Sequence, residues 1–244
     1  DPKVSIENVS ACSAYEFIPY TLDSSSGEKL DKNAIGDFCI RSKGLHGERN
    51  YELTVSAYPI EDYNLLYDML VEADRTGSPS AYEYLRYEGA YREFVYNEYL
   101  TVPVSVHASI RKLPEVMGVP EGVQVSFGEA CRIVLNSLLN NYAYNETPGK
   151  TPEGWDFALW FLSGSKSGYA PHFATAAVMI FRDLGIPARY VEGYSIRDEE
   201  VLTARDGRME VPKANAHAWV EVYRDGVGFV PIEVTPPFVT DAPL

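Results

Sequence analysis

The last third of this chain changes period twice within about sixty residues, and that alternation fixes its class. Behind Pro171, the residues Phe173, Ala174, Ala177, Val178, Ile180, Phe181 and Leu184 recur at helical spacing, and Gly185 with Pro187 ends the run. Ala216-His217-Ala218-Trp219-Val220-Glu221-Val222-Tyr223 then alternates as a strand, Arg224-Asp225-Gly226 turns it, and Phe229-Val230-Pro231-Ile232-Glu233-Val234 returns. A helix with one apolar stripe and a hairpin with one apolar face bury those surfaces against each other, so the expected fold is α+β.

Composition removes several function classes. The 244 residues carry 21 Lys plus Arg against 35 Asp plus Glu, a formal charge of −14, which argues against a nucleic-acid partner. A hydrophobic fraction of 45% with 23% charged residues is that of a folded globule rather than a disordered chain. No stretch reaches the roughly 20 apolar residues of a membrane-spanning helix. The chain starts at Asp1 without Met or a basic-then-apolar leader, so it is expected to be part of a longer product.

Three cysteines, Cys12, Cys39 and Cys131, are too few for a disulfide scaffold and lack paired zinc-ligand spacing, so no metal is expected. Cys12 and Cys39 lie in strand-like stretches, either pairing in an oxidising compartment or resting as buried thiols; Cys131 sits inside an apolar helical pattern.

Three regions are expected. Residues 1–58 alternate as a small β-sheet, as in Val4-Ser5-Ile6-Glu7, Asp37-Phe38-Cys39-Ile40 and Tyr51-Glu52-Leu53-Thr54-Val55, with a turn at Ser24-Ser25-Ser26-Gly27. Residues 59–125 form a helical connector. Leu65, Leu66, Met69 and Leu70 belong to one helix; Tyr84, Leu85, Tyr87, Tyr91, Phe94 and Val95 belong to a second, capped by Ser78 or Ser80 after a break at Gly77-Ser78-Pro79. Tyrosines at that spacing are expected to bury their rings and leave the hydroxyls at the rim. A Pro- and Gly-punctuated stretch runs from Pro103 to Gly122. In residues 126–244, Ser126-Phe127-Gly128-Glu129 reads as a capping box for a helix from about Phe127 to Asn140, and Tyr144 to Gly154 as loop.

The chemistry concentrates at three places. Residue 170 stands at a helix N-terminus, where unpaired N–H groups and the helix dipole stabilise a thiolate or a developing oxyanion. His217 and Glu233 fall at one end of the hairpin. A two-residue turn pairs Glu233 with Ala218 and separates the two side chains; an odd loop, or a bulge at Gly228, pairs it with Trp219 and puts it on the His217 face. In the second register a carboxylate reaches the imidazole and holds its tautomer.

Gly168-Tyr169-x-x-His172-Phe173-Ala174, Gly185-Ile186-Pro187-Ala188-Arg189-Tyr190-Val191-x-Gly193-Tyr194, His217-Ala218-Trp219-Val220-Glu221 and Glu233-Val234-Thr235-Pro236 occur in this order. Together with the upstream Asn141-Tyr142-x-Tyr144 and Asp156-Phe157, they resemble the transglutaminase-like superfamily in its bacterial form, over about residues 126–238. The resemblance implies a papain-like core in which a nucleophilic Cys on a helix tip faces a His and an acidic residue on adjacent antiparallel strands. Carried over, His217 is the general base and acid, and Glu233 is the orienting carboxylate where many relatives have Asp. Tyr169, Trp160 and Trp219, with Trp155 nearby, are expected to line the acyl groove.

The nucleophile position itself holds Ala170, so the resemblance implies a protein or peptide substrate and amide chemistry while this sequence lacks the attacking atom. A Cys replaced to silence the site and a natural pseudoenzyme that binds without turnover are both consistent, and the retained His217 and Glu233 favour the first. No cofactor is called for by this chemistry. Relatives imply an extracytoplasmic or cell-surface location and a membrane-anchored parent. His172 reads as a cap or packing residue. Glu221, at i+4 on the His217 strand and roughly 13 Å along it, is too far to bond the ring. Ser163, Ser165 and Ser167 read as loop residues rather than nucleophiles.

Overall fold

The computed structural model describes residues 2–22, 35–36, 39–42, 44, 46–56, 63–123 and 125–239, of which 35–36, 39–40, 63–66 and 198 by backbone only. The chain divides into two units, Asp1–Met69 and Leu70–Leu244.

In the first unit β1 (Lys3–Glu7) pairs antiparallel with a later strand, β2 (Ile35–Gly36) pairs antiparallel with β3 (Cys39–Ile40), and β4 (Asn50–Thr54) is the partner of β1. Ile6 faces Tyr51 and Val4 faces Leu53 across the longer pair. The Tyr51 hydroxyl accepts the Phe17 N–H at 2.8 Å and donates to the Phe17 carbonyl at 3.1 Å, pinning an irregular stretch to the sheet. The expected strand at residues 37–40 is described only for Cys39 and Ile40, and the Ser24–Gly27 turn lies outside the described residues. Cys12 is exposed, free and outside any strand, which corrects its placement in a buried strand; the Cys39 side chain lies outside the described residues.

The border at 69/70 falls within α1 (Tyr63–Arg75). Gly77, at φ +90°, breaks the chain, and the Ser78 hydroxyl accepts the Ala81 N–H to open α2 (Pro79–Glu98). The tyrosines of α2 depart from expectation. Only Ala81 and Val95 of this helix are buried, while Tyr82, Tyr84, Tyr87 and Tyr91 are exposed. The apolar contact of α2 with the sheet is at its C-terminal end, where Val95 and the following Tyr99 pack with Tyr223 and Phe229. Rings and hydroxyls both make the contact: Tyr91 and Tyr96 meet the Tyr223 ring edge-on, while Tyr84 donates to the Gly226 carbonyl and Tyr96 to Asp225. The punctuated stretch that follows holds two short helices, α3 (Val104–Ile110) and α4 (Pro114–Met117), whose Val106, Ile110 and Val116 are fully buried.

The core of the second unit is built around one helix. The Ser126 hydroxyl accepts the Glu129 N–H and starts α5 (Phe127–Asn141). After β5 (Ala143–Tyr144) and a loop, Asp156 caps α6 (Phe157–Trp160), a π-turn spans Phe161–Ser165, and β6 (Ser167–Gly168) pairs parallel with β5. Then comes α7 (Ala170–Asp183), of which nine residues are buried. It lies between α5 and a three-stranded antiparallel sheet that follows it: β7 (Ala188–Tyr194) leads through a long excursion carrying α8 (Asp198–Val201) to β8 (Ala216–Arg224) and β9 (Gly228–Ile232), in the order β7-β8-β9. Phe173, Ala177, Ile180 and Phe181 share one cluster with Val134 and Leu138 of α5 and with Val220, Val222 and Ile232 of the sheet. Alanines at 174, 176 and 177 let the helix approach this closely. At its far end the buried carboxylate of Asp183 is held by the His107 ring of α3 and by the guanidinium of Arg111, just past that helix.

Candidate active site

Loop geometry decides which face of the hairpin Glu233 occupies. Arg224 pairs with Gly228, leaving the three residues Asp225, Gly226 and Val227 as the turn, with Gly226 at φ +76° and Gly228 at φ +102°. Both values lie in the left-handed region, where glycine carries no steric penalty. An odd loop sets the ladder Val220 to Ile232, and one step further the register brings Glu233 opposite Trp219, on the face that carries His217. The outcome is direct: His217 Nε2 lies 2.6 Å from Glu233 Oε2.

Each partner is further restrained. Glu233 Oε1 accepts the N–H groups of Val234 (3.0 Å) and Thr235 (2.8 Å), so the carboxylate cannot swing away from the ring. The His217 ring packs on Phe238 at 4.4 Å between centroids and stacks with Trp219 at 6.3 Å. Because Nε2 is engaged by the carboxylate, Nδ1 is the nitrogen left for proton transfer.

The strand also links to the helix tip. Ala218, one residue beyond His217, is buried in one cluster with Ala170 and Ala174, so the first turn of α7 rests on the strand that presents the imidazole. Ala170 is 6% exposed. Its approach is fixed by the β5–β6 ladder, in which Ala143 donates to the Lys166 carbonyl and Asn145 to the Gly168 carbonyl. Lys166 turns the corner at φ +51°.

His172 is buried and structural in its contacts. Its Nδ1 accepts the Tyr169 N–H at 3.4 Å, and its ring meets those of Phe157, Phe161 and Tyr169. Burial lowers its pKa, against a smaller opposing effect of the Tyr169 backbone. A Cβ on Gly168 would stand 2.5 Å from the His172 ring, so only glycine fits there.

Tyr169 is 41% exposed at the helix tip. Trp160 packs edge-on with Trp155, its indole N–H buried without a partner among the described residues, and its ring fills the space a Cβ of Gly164 would need. Trp219 lies over Gly193, where a Cβ would come within 2.8 Å of the indole. Glu221 is committed elsewhere: it is buried and paired with Arg189, whose guanidinium lies 4.0 Å over Phe229. Among the described residues no three His, Cys, Asp or Glu side chains cluster as a metal site.

The sequence reading overlooked Phe238, because nothing in Pro236-Pro237-Phe238 announces that the chain folds back over the histidine. It also overlooked a cavity of about 180 Å³ against His217, lined in part by Ser195, Arg197, Asn215 and Phe238. That cavity is built by the excursion between β7 and β8, which carries no periodic signal.

A helix whose first turn rests on an antiparallel sheet, with an imidazole and a carboxylate paired at the sheet's end, makes this an α+β fold. Residues 119–234 match the profile of the transglutaminase-like superfamily, and this part of the chain is a transglutaminase-like core. Over 88 residues (36% of this chain, 12% of the relative) it is 40% identical to the uncharacterised protein YebA of Bacillus subtilis. Over 94 residues (38% and 13%) it is 34% identical to a protein-glutamine gamma-glutamyltransferase of Pseudomonas aeruginosa. The matched stretch thus spans about an eighth of either relative. The crystal structure of the periplasmic domain of TgpA from Pseudomonas aeruginosa is similar over 60% of this chain and 48% of that one, at 23% identity and a TM-score of 0.42.

Proposed function

We propose that this core, with Cys at residue 170, is an acyltransferase or hydrolase acting on amides of proteins or peptides through a Cys-His-Glu triad, and that the chain with Ala170 is catalytically silent. The observation that carries this reading is the 2.6 Å bond between His217 and Glu233 on the strand against which the tip of α7 rests. A thiol at that tip loses its proton to the imidazole, and the helix N-terminus stabilises the thiolate. The thiolate adds to the amide carbon, the backbone N–H at residue 170 is placed to stabilise the oxyanion, and His217 protonates the leaving amine. Water or an amine then attacks the thioester, with His217 taking its proton. Tyr169, Trp160 and Trp219 are the aromatic candidates for the acyl side. By the same resemblance, the parent protein is membrane-anchored and the core works outside the cytoplasm; no described helix is long and apolar enough to cross a membrane.

The test is Ala170→Cys, incubated with a glutaminyl peptide and a primary amine and followed by mass spectrometry. A thioester at residue 170 and an amine-linked or hydrolysed product support the reading; an unmodified thiol at residue 170 and unchanged peptide refute it.

Ala170 itself favours a second reading for the chain as it stands, a pseudoenzyme that binds a peptide or cell-wall stem in the same groove. Saturable peptide binding by the Ala170 chain, with no acyl transfer after Cys is introduced, is the result that selects it.

A further inference from the structure

The sheet β7-β8-β9 has two outer edges, and hydrogen-bond parity distinguishes them. Pro187, just ahead of β7, accepts the Tyr223 N–H at 2.8 Å, and Ser195, just past it, donates to the Asn215 carbonyl at 2.9 Å. In an antiparallel pair, residues that bond to the neighbouring strand alternate with residues whose N–H and C=O point away from it. From either end of β7 the alternation is the same. Arg189, Val191 and Gly193 bond to β8, while Ala188, Tyr190, Glu192 and Tyr194 direct their backbone groups outward. The first outward step is closed, because Ala188 donates to the Tyr99 carbonyl at 3.3 Å and its own carbonyl accepts from the Arg182 guanidinium at 2.9 Å. Tyr190 and Glu192 are exposed, and among the described residues none bonds their outward N–H or C=O.

The opposite edge offers less. Pro231 of β9 stands opposite Glu221, whose backbone bonds to β7, so Pro231 turns its nitrogen outward and has no N–H for a guest. By contrast β7 contains no proline, and its ladder with β8 runs unbroken over its seven residues. The Tyr190 hydroxyl donates to Glu192 at 2.5 Å, tying the two exposed side chains to each other.

The open stretch is also level with the site. Glu192 stands opposite Ala218, which shares a cluster with Ala170, and Gly193 stands opposite His217. Neighbouring strands lie about 4.8 Å apart, so a strand added along Tyr190 and Glu192 runs about 10 Å from β8. One residue beyond Glu192 it draws level with His217. An edge of this kind bonds main chain rather than side chains, and only an extended segment has main-chain groups to give.

We propose that the Tyr190 and Glu192 edge of β7 is the docking site for the substrate's main chain: an extended, unfolded stretch of a protein or peptide adds there as a fourth strand and presents its amide further along to the tip of α7. This rests on the proposed acyl-transfer function and adds the substrate class, an extended segment rather than a folded surface.

The experiment acylates the Ala170→Cys chain with a flexible peptide holding one central glutamine, either unmodified or N-methylated at one residue at a time. N-acetylglutamine methylamide, which has no chain to lie along β7, is the comparison, and thioester formation at residue 170 is followed by mass spectrometry as kcat/KM. An N-methyl group removes one hydrogen bond, so the docking site predicts losses of about three- to tenfold at alternate residues on one side of the glutamine and none at the residues between. On the protein side, Glu192→Pro removes an outward N–H without removing a bond to β8. It is expected to slow the peptide by a similar factor and leave the small amide unchanged, whereas Glu192→Ala, which keeps the N–H, leaves both unchanged. A flat scan, or losses without alternation, overturns the docking site while thioester formation leaves the function standing, and the scan needs no change in this chain beyond residue 170. No thioester with either substrate overturns the function and the docking site with it. Slowed amide exchange at residues 190 and 192 that grows with protein concentration, without peptide, gives the edge to a second copy of the chain and overturns the proposal.

Discussion

His217 and Glu233 are sixteen residues apart in sequence and 2.6 Å apart in space, and a three-residue turn is what joins them. In the Ala170→Cys chain, Glu233→Gln keeps the size and loses the charge that orients the ring. It is expected to lower kcat about 10²- to 10⁴-fold with the fold intact by circular dichroism. A loss of less than threefold would show that the carboxylate does not orient the base.

Gly168→Ala pushes a methyl to within 2.5 Å of the His172 ring, and the ring has no room to retreat between Phe157 and Phe161. Overpacking of this kind costs about 1–3 kcal/mol. Urea denaturation is expected to show that loss, with the same substitution at Gly149, where an added Cβ meets nothing, nearly silent.

Helix starts give a smaller, separable effect. Ser126→Ala and Asp156→Ala each remove the acceptor for one first-turn N–H, those of Glu129 and Leu159. Each is expected to cost about 1 kcal/mol, and their double mutant about the sum, measured by the same denaturation.

Stability should fall at both ends of the pH scale. Burial pushes the Cys131 thiol up to about 12 and the Tyr142 hydroxyl up to about 12. The unfolded chain releases these protons first, at about 8.5 and about 10. Their contribution is therefore complete below about pH 8.5 and is lost as pH rises toward 12, by at most about 1.4 kcal/mol per pH unit per group. Burial lowers the His172 pKa, so the unfolded chain binds that proton first and stability falls as pH drops below about 6.5. Cys131→Ala should flatten the alkaline limb between about pH 8.5 and 10, and His172→Gln part of the acid limb; unchanged limbs in denaturation midpoints against pH would refute the assignments.

The elements that position the site were legible because each has strong local chemistry. Ser126 announces α5, Pro171 and Gly185 bracket α7, and the alternation from Ala216 to Tyr223 marks β8. The register was legible only as a choice, since sequence shows the glycines at 226 and 228 but not their dihedral angles. Where local signals are weak the reading stopped. Val106, Ile110 and Val116 sit in helices too short to show a period, and the exposed tyrosines of α2 carry the spacing of a buried face without its burial. Phe238 reaches His217 through a turn in which the Phe238 N–H donates to the Thr235 carbonyl, and the ring contact itself is tertiary and carries no mark in the sequence.

The alkylation rate of Ala170→Cys by iodoacetamide as a function of pH, read by peptide mapping, tests the central claim most directly. Exposed Cys12 serves as the internal reference in the same sample, and buried Cys131 as a silent site. The account predicts that Cys at 170 reacts with an apparent pKa at least about one unit below the ordinary 8.5, and that His217→Ala returns it to the ordinary range. A profile for that cysteine matching Cys12, unmoved by His217→Ala, would contradict the claim that the tip of α7 and the imidazole share one site.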